Sequence, residues 1–505
     1  MSARIGFVHT TALYCGALLG PGVLTLPALA AAIAGPGSLL AWAALVAASV
    51  PLAATFTALA VAFPNSGGIS AVAARAYGPR AFAVIGFWFI AATPLAVYVA
   101  AHIGGQYVAA AVGAGQPAAT VVTAAILGIV FTANAFALKT SGRVQLVVIG
   151  SLVAVLGTAT LSTARHIDPA NLTPLLPDGP VPVAHACVLL FIAFAGWEAA
   201  AHLTDGVTDP ARTLPKVAAA TVVIVGAIYL GLAATTVGVL GPAAGTGAVP
   251  LITLLEHGVG RAAAPVAALV ALMLTCGAAN TFLAGATRLG VALAERCVLP
   301  ARIAGGRLQR RSLLLQAALT GVVIAGSEAL DLEVASLLKT VSVLLAAVTL
   351  AGTSAGILLL PRGWRWTAAL TATTVTAAVL GAAGPMLAVP ATLAVVAVTR
   401  LRLIPAQPGN DPPQPPAPEP PDRHPPGAAA DAKAAELVTG WQRHPPHRSR
   451  RRKPRPEPRP EPRHEPRPVP RSDSRRRQPT GEAVRPADSQ TAPDRGRQPV
   501  LRSRQ

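Results

Sequence analysis

Gly16-Ala17-Leu18-Leu19-Gly20-Pro21-Gly22-Val23-Leu24-Thr25-Leu26-Pro27 lies inside an apolar run, Gly6 to Gly35, that contains no acid, lysine or arginine. A run of that length can span a bilayer, because about 20 predominantly apolar residues cover its hydrocarbon core. Its centre nevertheless reads Gly20-Pro21-Gly22, with Pro27 a turn and a half further on. Proline removes a backbone donor and clashes with the carbonyl four residues back, and glycine weakens what remains. The run therefore predicts a helix that breaks at mid-membrane. Lipid cannot satisfy unwound backbone at that depth, so the break must be buried in protein or line a watery cavity. Interrupted hydrophobic segments of this kind point to the binding site of a transporter.

The composition agrees with a membrane setting. Of 505 residues, 52% are hydrophobic and only 12% are charged. Spread over several separate apolar runs, that balance predicts a polytopic helical membrane protein. Aromatic residues make up 4%, so alanine, leucine and valine supply the bulk, and small residues let membrane helices approach closely. Cys15, Cys187, Cys276 and Cys297 fall in or beside apolar runs without metal-type spacing and read as reduced core residues. Arg4 alone, ahead of a long run with no convincing cleavage site, does not make a cleavable signal. The formal charge of +19 is concentrated in short loops and beyond Leu401, which argues against a specific nucleic-acid partner.

About twelve runs have spanning length. They are Gly6–Gly35, Gly37–Phe63, Arg80–Val112, Pro117–Leu138, Val144–Thr163, His185–Leu203, Val217–Leu240, Ala262–Leu289, Ser312–Gly326, Val334–Leu360, Trp366–Gly381 and Ala383–Val398. With the N-terminus inside, successive inner loops carry Arg75 and Arg80, Lys139 and Arg143, Arg212 and Lys216, a cluster from Arg296 to Arg311, then Arg362 and Arg365. The outer loops are poor in base and hold Asp168, Asp178, Glu256, Glu328, Asp331 and Glu333. That alternation follows the positive-inside rule and predicts a multi-pass protein of the cell membrane with both termini cytoplasmic.

Two domains follow: a transmembrane domain over 1–401 and a tail over 402–505. The tail is rich in proline and arginine, with Pro454–Arg471 reading PRPEPRPEPRHEPRPVPR. Proline at that density forbids helix and sheet ladders, so a disordered cytoplasmic chain is expected. Such a tail suits contact with anionic lipid headgroups or with a proline-recognising protein.

The sixth run repeats the theme of the first. Phe194-Ala195-Gly196-Trp197-Glu198 places a glycine at mid-run and an acid at membrane depth, with His202 one turn later. Ionisable residues there are costly and face a cavity or a partner. First and sixth are corresponding members of two five-helix halves, as in an inverted repeat whose site lies where the breaks meet.

These motifs resemble the amino acid–polyamine–organocation superfamily over Gly6 to about Leu401. Gly20-Pro21-Gly22-Val23 with Leu26-Pro27 matches its first-helix signature. Pro64-Asn65-Ser66-Gly67-Gly68 matches the loop after the second helix, with Tyr77-Gly78 following. Phe194 to Glu198 matches the sixth helix, and Gly206-Val207-Thr208-Asp209-Pro210-Ala211-Arg212-Thr213-Leu214-Pro215 the loop beyond it. Gly206 stands where an acid is usual, and Asp209 where asparagine is. Glu198-Ala199, Ala201-His202-Leu203 and Asp168-Pro169-Ala170-Asn171 are similar to the bacterial methionine and branched-chain amino acid exporters. The resemblance implies an all-α integral membrane protein of about twelve helices, with the LeuT-like five-plus-five inverted repeat and broken helices one and six.

An amino-acid substrate brings a carboxylate, an ammonium and a variable group. Half-helix N-termini suit the carboxylate, and half-helix C-termini and unwound carbonyls suit the ammonium. Substrate binding is therefore expected at Gly20, Pro21, Gly22 and Val23 and at Phe194, Ala195, Gly196 and Trp197. Pro21 has no amide, so donation falls to Gly20, Gly22 and Val23. Phe194, Trp197, Tyr98 and Ala92–Thr93 are expected to meet the variable end, and their apolar character favours methionine, leucine, isoleucine or valine. Glu198 is the candidate for gating or proton coupling, since a carboxyl desolvated at depth can hold a proton near neutral pH. Lys339 is a second candidate, Asn280 is expected to hydrogen-bond across helices, and His202 reads as structural. No acid lies near Gly20–Val23 to hold sodium, which leaves a proton as the coupling ion. No motif calls for an enzyme, a cofactor or a metal. The expectation is thus a proton-coupled secondary exporter of apolar amino acids. A cationic or other amino-acid permease, and a membrane-embedded sensor or scaffold acting through its basic tail, are the alternatives.

Overall fold

The computed structural model describes residues 6–64, 68–136, 142–197, 207, 209–295 and 308–402. Glu198, His202, Asp205, Gly206, Cys297 and the tail beyond 402 lie outside the described residues.

The first apolar run is interrupted as its prolines and glycines dictate. Helix α1 (Phe7–Leu18) stops, a tight turn covers Pro21–Leu24, and α2 (Leu26–Ala34) resumes. Then follow α3 (Ser38–Ala62), α4 (Ile69–Tyr77), α5 (Pro79–Ala111), α6 (Gln116–Ala135) and α7 (Gly142–Thr163). The sixth run is α8 (Pro180–Leu190) continued by a tight turn over Phe191–Phe194. The remainder comprises α9 (Pro210–Leu240), α10 (Pro250–Gly258), α11 (Ala264–Glu295), α12 (Leu308–Ala329), α13 (Val334–Leu359), α14 (Trp364–Gly381) and α15 (Ala388–Arg402). Every one of the expected apolar runs is thus helical among the described residues. Nine helical segments there are long and apolar enough to cross a membrane, while Phe7–Leu18 and Pro180–Phe194 are shorter apolar pieces. The two short pieces belong to the two runs expected to break. The protein is an all-α, multi-pass membrane protein.

Two helices were not foreseen, and their size explains why. Helices α4 and α10 have nine residues each, too short to register in a membrane-length window. Helix α10 nevertheless buries Leu251, Ile252, Leu254 and Leu255, which anchor it to the bundle. The sixth run also starts earlier than His185, at Pro180, where proline's fixed φ suits a first helical turn.

Tyr107, fully buried near the end of α5, fixes α10 and the first break together. Its hydroxyl donates to the Leu24 carbonyl at 2.7 Å and accepts from the Leu251 amide at 3.1 Å. Tyr107→Phe would leave a buried donor and a buried acceptor unpaired, at about 1–3 kcal/mol each. A clearly lower melting temperature of the purified protein is expected. An unchanged one would remove Tyr107 from this role.

Elsewhere polar side chains tie helices pairwise. Asn134 of α6 donates to the Asn280 side chain of α11 at 2.7 Å, so Asn280 does bond across helices. Trp88 of α5 donates to the Pro390 carbonyl of α15, and Ser342 of α13 to the Val188 carbonyl of α8. Cys15 is buried, Cys187 and Cys276 are half-buried, and all three are free thiols.

Candidate functional site

Where α1 ends, the chain loses its helical hydrogen bonds one by one. Pro21 has no N–H, so the Ala17 carbonyl cannot be capped from four residues on. Leu19 adopts φ −76°, ψ 67°, and the Gly20 amide turns back to the Leu18 carbonyl at 2.8 Å, an inverse γ-turn. The Val23 amide then donates to the Gly20 carbonyl at 3.1 Å and the Thr25 amide to the Gly22 carbonyl at 3.0 Å. This corrects the expected donor set. The amides of Gly20 and Val23 are committed within the chain, and that of Gly22 has no backbone partner among the described residues.

The second break lies alongside. The Ala195 amide reaches the Phe191 carbonyl at 3.0 Å, after which the backbone leaves the helical course. Gly196 is what allows the two breaks to touch. A Cβ added there would lie 2.7 Å from the Ala17 carbonyl oxygen and 3.2 Å from the Leu18 side chain.

Tyr229 of α9 joins the pair. Its hydroxyl lies 2.7 Å from the Leu18 carbonyl and 3.1 Å from the Ala193 carbonyl, so one proton is shared between the two breaks. The ring is fixed from behind by Trp42, with centroids 4.9 Å apart, and by Phe194 edge-on at 5.4 Å. Neither tyrosine of this framework, Tyr107 or Tyr229, was singled out from the sequence. Each sits in an unbroken helix, and only the fold brings its hydroxyl to a broken one.

Between the breaks is a cavity of about 50 Å³, room for roughly three or four water molecules. Gly20, Pro21, Gly22, Val23 and Ala195 line it. Its other walls are aliphatic or aromatic: Ala96, Val99, Ala100 and Ile103 of α5, Ala278 and Phe282 of α11, and Leu338 of α13. Phe194, Gly196 and Trp197 are not among the lining residues. Phe194 packs on Trp42 and Tyr229, and Trp197 meets Tyr14 edge-on at 6.4 Å. Both large rings are buried in the core because it offers them aromatic partners there. Tyr98 is buried beside His102, with centroids 5.9 Å apart, and Thr93 donates to the Phe89 carbonyl of its own helix. The variable end of a substrate would therefore meet α5, α11 and Leu338 rather than the aromatics of the sixth run. Lys339 is half-buried and follows Leu338 directly.

A many-helix membrane bundle, with two interrupted helices meeting at an internal cavity, has the architecture of a transmembrane transporter. The chain belongs to the amino acid permease family, whose profile matches residues 5–401. It is 29% identical to the uncharacterised amino acid permease YecA of Bacillus subtilis over 371 residues, 72% of this chain and 88% of that protein. To the L-methionine/branched-chain amino acid exporter YjeH of Escherichia coli it is 30% identical over 237 residues, 46% of this chain and 55% of that protein. To the branched-chain amino acid permease BcaP of Bacillus subtilis it is 26% identical over 261 residues, 48% and 56% of the two chains. These families are transporters, not enzymes.

Proposed function

We propose that this chain is a secondary active exporter of apolar amino acids, in particular methionine, leucine, isoleucine and valine. It works in the cell membrane with both termini in the cytoplasm, and it is coupled to protons. The observation that carries the substrate class is the cavity wall: among the described residues it holds no charged side chain. A cationic side chain would be buried there without a counter-charge, at a cost a hydrocarbon side chain avoids. The exporter YjeH and the permease BcaP, both named for such substrates, support the same reading.

Gly20–Val23 on one side and Ile192, Ala193 and Ala195 on the other form the two broken-helix walls of the site. The Gly22 amide, without a backbone partner, is the donor for the substrate carboxylate. The Leu18 and Ala193 carbonyls, drawn to one point by Tyr229, are acceptors for the ammonium. The cavity as it stands is smaller than leucine or methionine, so these walls separate when substrate binds. Glu198 is the gating and proton-coupling acid. The segment 402–505 is a cytoplasmic extension that touches anionic lipid or a proline-recognising protein and takes no part in the transport step.

Purified protein in vesicles is expected to exchange labelled leucine and methionine, and to ignore lysine. Gly22→Leu, whose Cβ would run into the Leu26 side chain in the cavity wall, is expected to abolish that exchange, and Glu198→Gln to remove its dependence on a proton gradient. Truncation after Arg402 is expected to leave exchange intact. Lysine exchange would sink the substrate class. Normal leucine exchange in Gly22→Leu would sink the site, and loss of function by truncation alone would favour the sensor or scaffold reading.

A further inference from the structure

His102 stands one residue before Ile103, a cavity wall residue, on the helix that also supplies Ala96, Val99 and Ala100 to the wall. It is half-buried, an ionisable side chain at membrane depth, where such residues are costly and functional. Its surroundings form an ordered polar path. The Gln106 side-chain nitrogen lies 3.2 Å from His102 Nε2 and donates to the Gln116 side-chain oxygen at 2.9 Å. Gln116 is exposed at the first turn of α6, so the path leads from a half-buried imidazole, next in sequence to a cavity wall residue, to the surface. Tyr98 covers the other side of the imidazole.

The charges around it are few. Glu328, exposed near the end of α12, is close enough to act on His102 electrostatically. Helix α6 has no ionisable side chain, and α13 has only Lys339. In α11 the charged groups Arg288 and Glu295 lie near the end of the helix, away from the Ala278 and Phe282 cavity wall, and Cys276 is a neutral thiol. Glu256 and His257 of α10 are exposed on its own surface, with His257 Nδ1 2.8 Å from the Thr253 carbonyl.

An amide nitrogen has only hydrogens to offer, so the contact with Gln106 requires an Nε2 lone pair, hence a neutral imidazole with its proton on Nδ1. A proton arriving from water at Nε2 turns that acceptor into a donor facing two amide hydrogens. Gln106 must then rotate to present its oxygen, which moves its N–H off the Gln116 oxygen and forces a rearrangement of the amide pair between α5 and α6, in which Gln116 Nε2 also donates to Gln106 Oε1 at 3.4 Å. We propose that His102 is a proton-binding site of this transporter, and that its protonation reshapes the α5 wall of the cavity through the Gln106–Gln116 pair. This rests on the reading of the chain as a transporter, and it adds a protonation site distinct from Glu198.

The test has two arms that fail separately. In vesicles, wild-type leucine exchange is expected to change with the pH of one face, by up to tenfold per pH unit. His102→Gln is expected to flatten that profile, with His102→Asn made in parallel in case the first is poorly inserted, and Gln106→Leu is expected to shift the midpoint. Parallel profiles in wild type and both variants would overturn the proposal while leaving the transporter reading standing. In nanodiscs, the imidazole signal missing from His102→Gln is expected to titrate as one proton and to move when leucine is added. This arm needs no flux. A signal that does not titrate between pH 5 and 8, or is indifferent to leucine, overturns the proposal even where transport is normal.

Discussion

Tyr229→Phe is expected to lower leucine exchange at least fivefold while the protein remains inserted and folded. The substitution removes one oxygen and leaves the ring, so the contacts to Trp42 and Phe194 persist. What goes is the only proton shared by the Leu18 and Ala193 carbonyls. Leu18 keeps the Gly20 amide, whereas among the described residues Ala193 has no other donor for its carbonyl. A buried acceptor left bare costs about 1–3 kcal/mol, and that cost falls on the arrangement in which the breaks are closed. The proposed cycle passes through that arrangement, and on that reading a loss of about 1–3 kcal/mol there slows it by roughly 5- to 150-fold. A lesion confined to stability would lower the melting temperature and spare the turnover of the protein that remains folded. Wild-type turnover per folded molecule in Tyr229→Phe would show that the two breaks do not need the tie.

The contrast between Tyr229 and Gly20-Pro21-Gly22 explains how far the sequence reaches. Helix breaks are local: proline and glycine act on the backbone within a turn, and their positions survive folding unchanged. The walls at Gly20–Val23 and Ala195 were therefore legible. Which amides stay free was less so, because the Gly20 amide is consumed by a γ-turn that depends on the φ and ψ of Leu19. The direction of a side chain at a break is less legible still. Phe194 and Trp197 have the size and polarity of substrate-facing residues, yet Trp42, Tyr14 and Tyr229 compete for them from distant parts of the chain. Nothing in a linear pattern reports that competition. Likewise His102 and Gln106 are one turn apart on a helix, a spacing with little meaning until Gln116 is brought beside them.

Gly196→Val is expected to eliminate exchange, and Gly196→Ala to reduce it at least tenfold. As a sequence feature Gly196 reads as a weak point in a helix. The structure gives it a second and stricter role, since its missing Cβ is the space occupied by the Ala17 carbonyl. That oxygen is backbone of α1, and Pro21, having no N–H, leaves it uncapped. A methyl group 2.7 Å away cannot be relieved by a rotamer change, so one break must move off the other. Overpacking of this kind costs about 1–3 kcal/mol, and the shift also stretches the Tyr229 bridge that spans the same gap. Gly277→Ala in α11 makes the comparison, because a Cβ there meets nothing within 4 Å. Its exchange is expected to stay within about twofold of wild type, as an alanine in open helix favours the helix slightly. Equal exchange by Gly196→Ala and Gly277→Ala would mean that the two breaks are not required to touch. A selective loss at Gly196 would mean that the working cycle requires the orphaned carbonyl left by Pro21 to close against the second break.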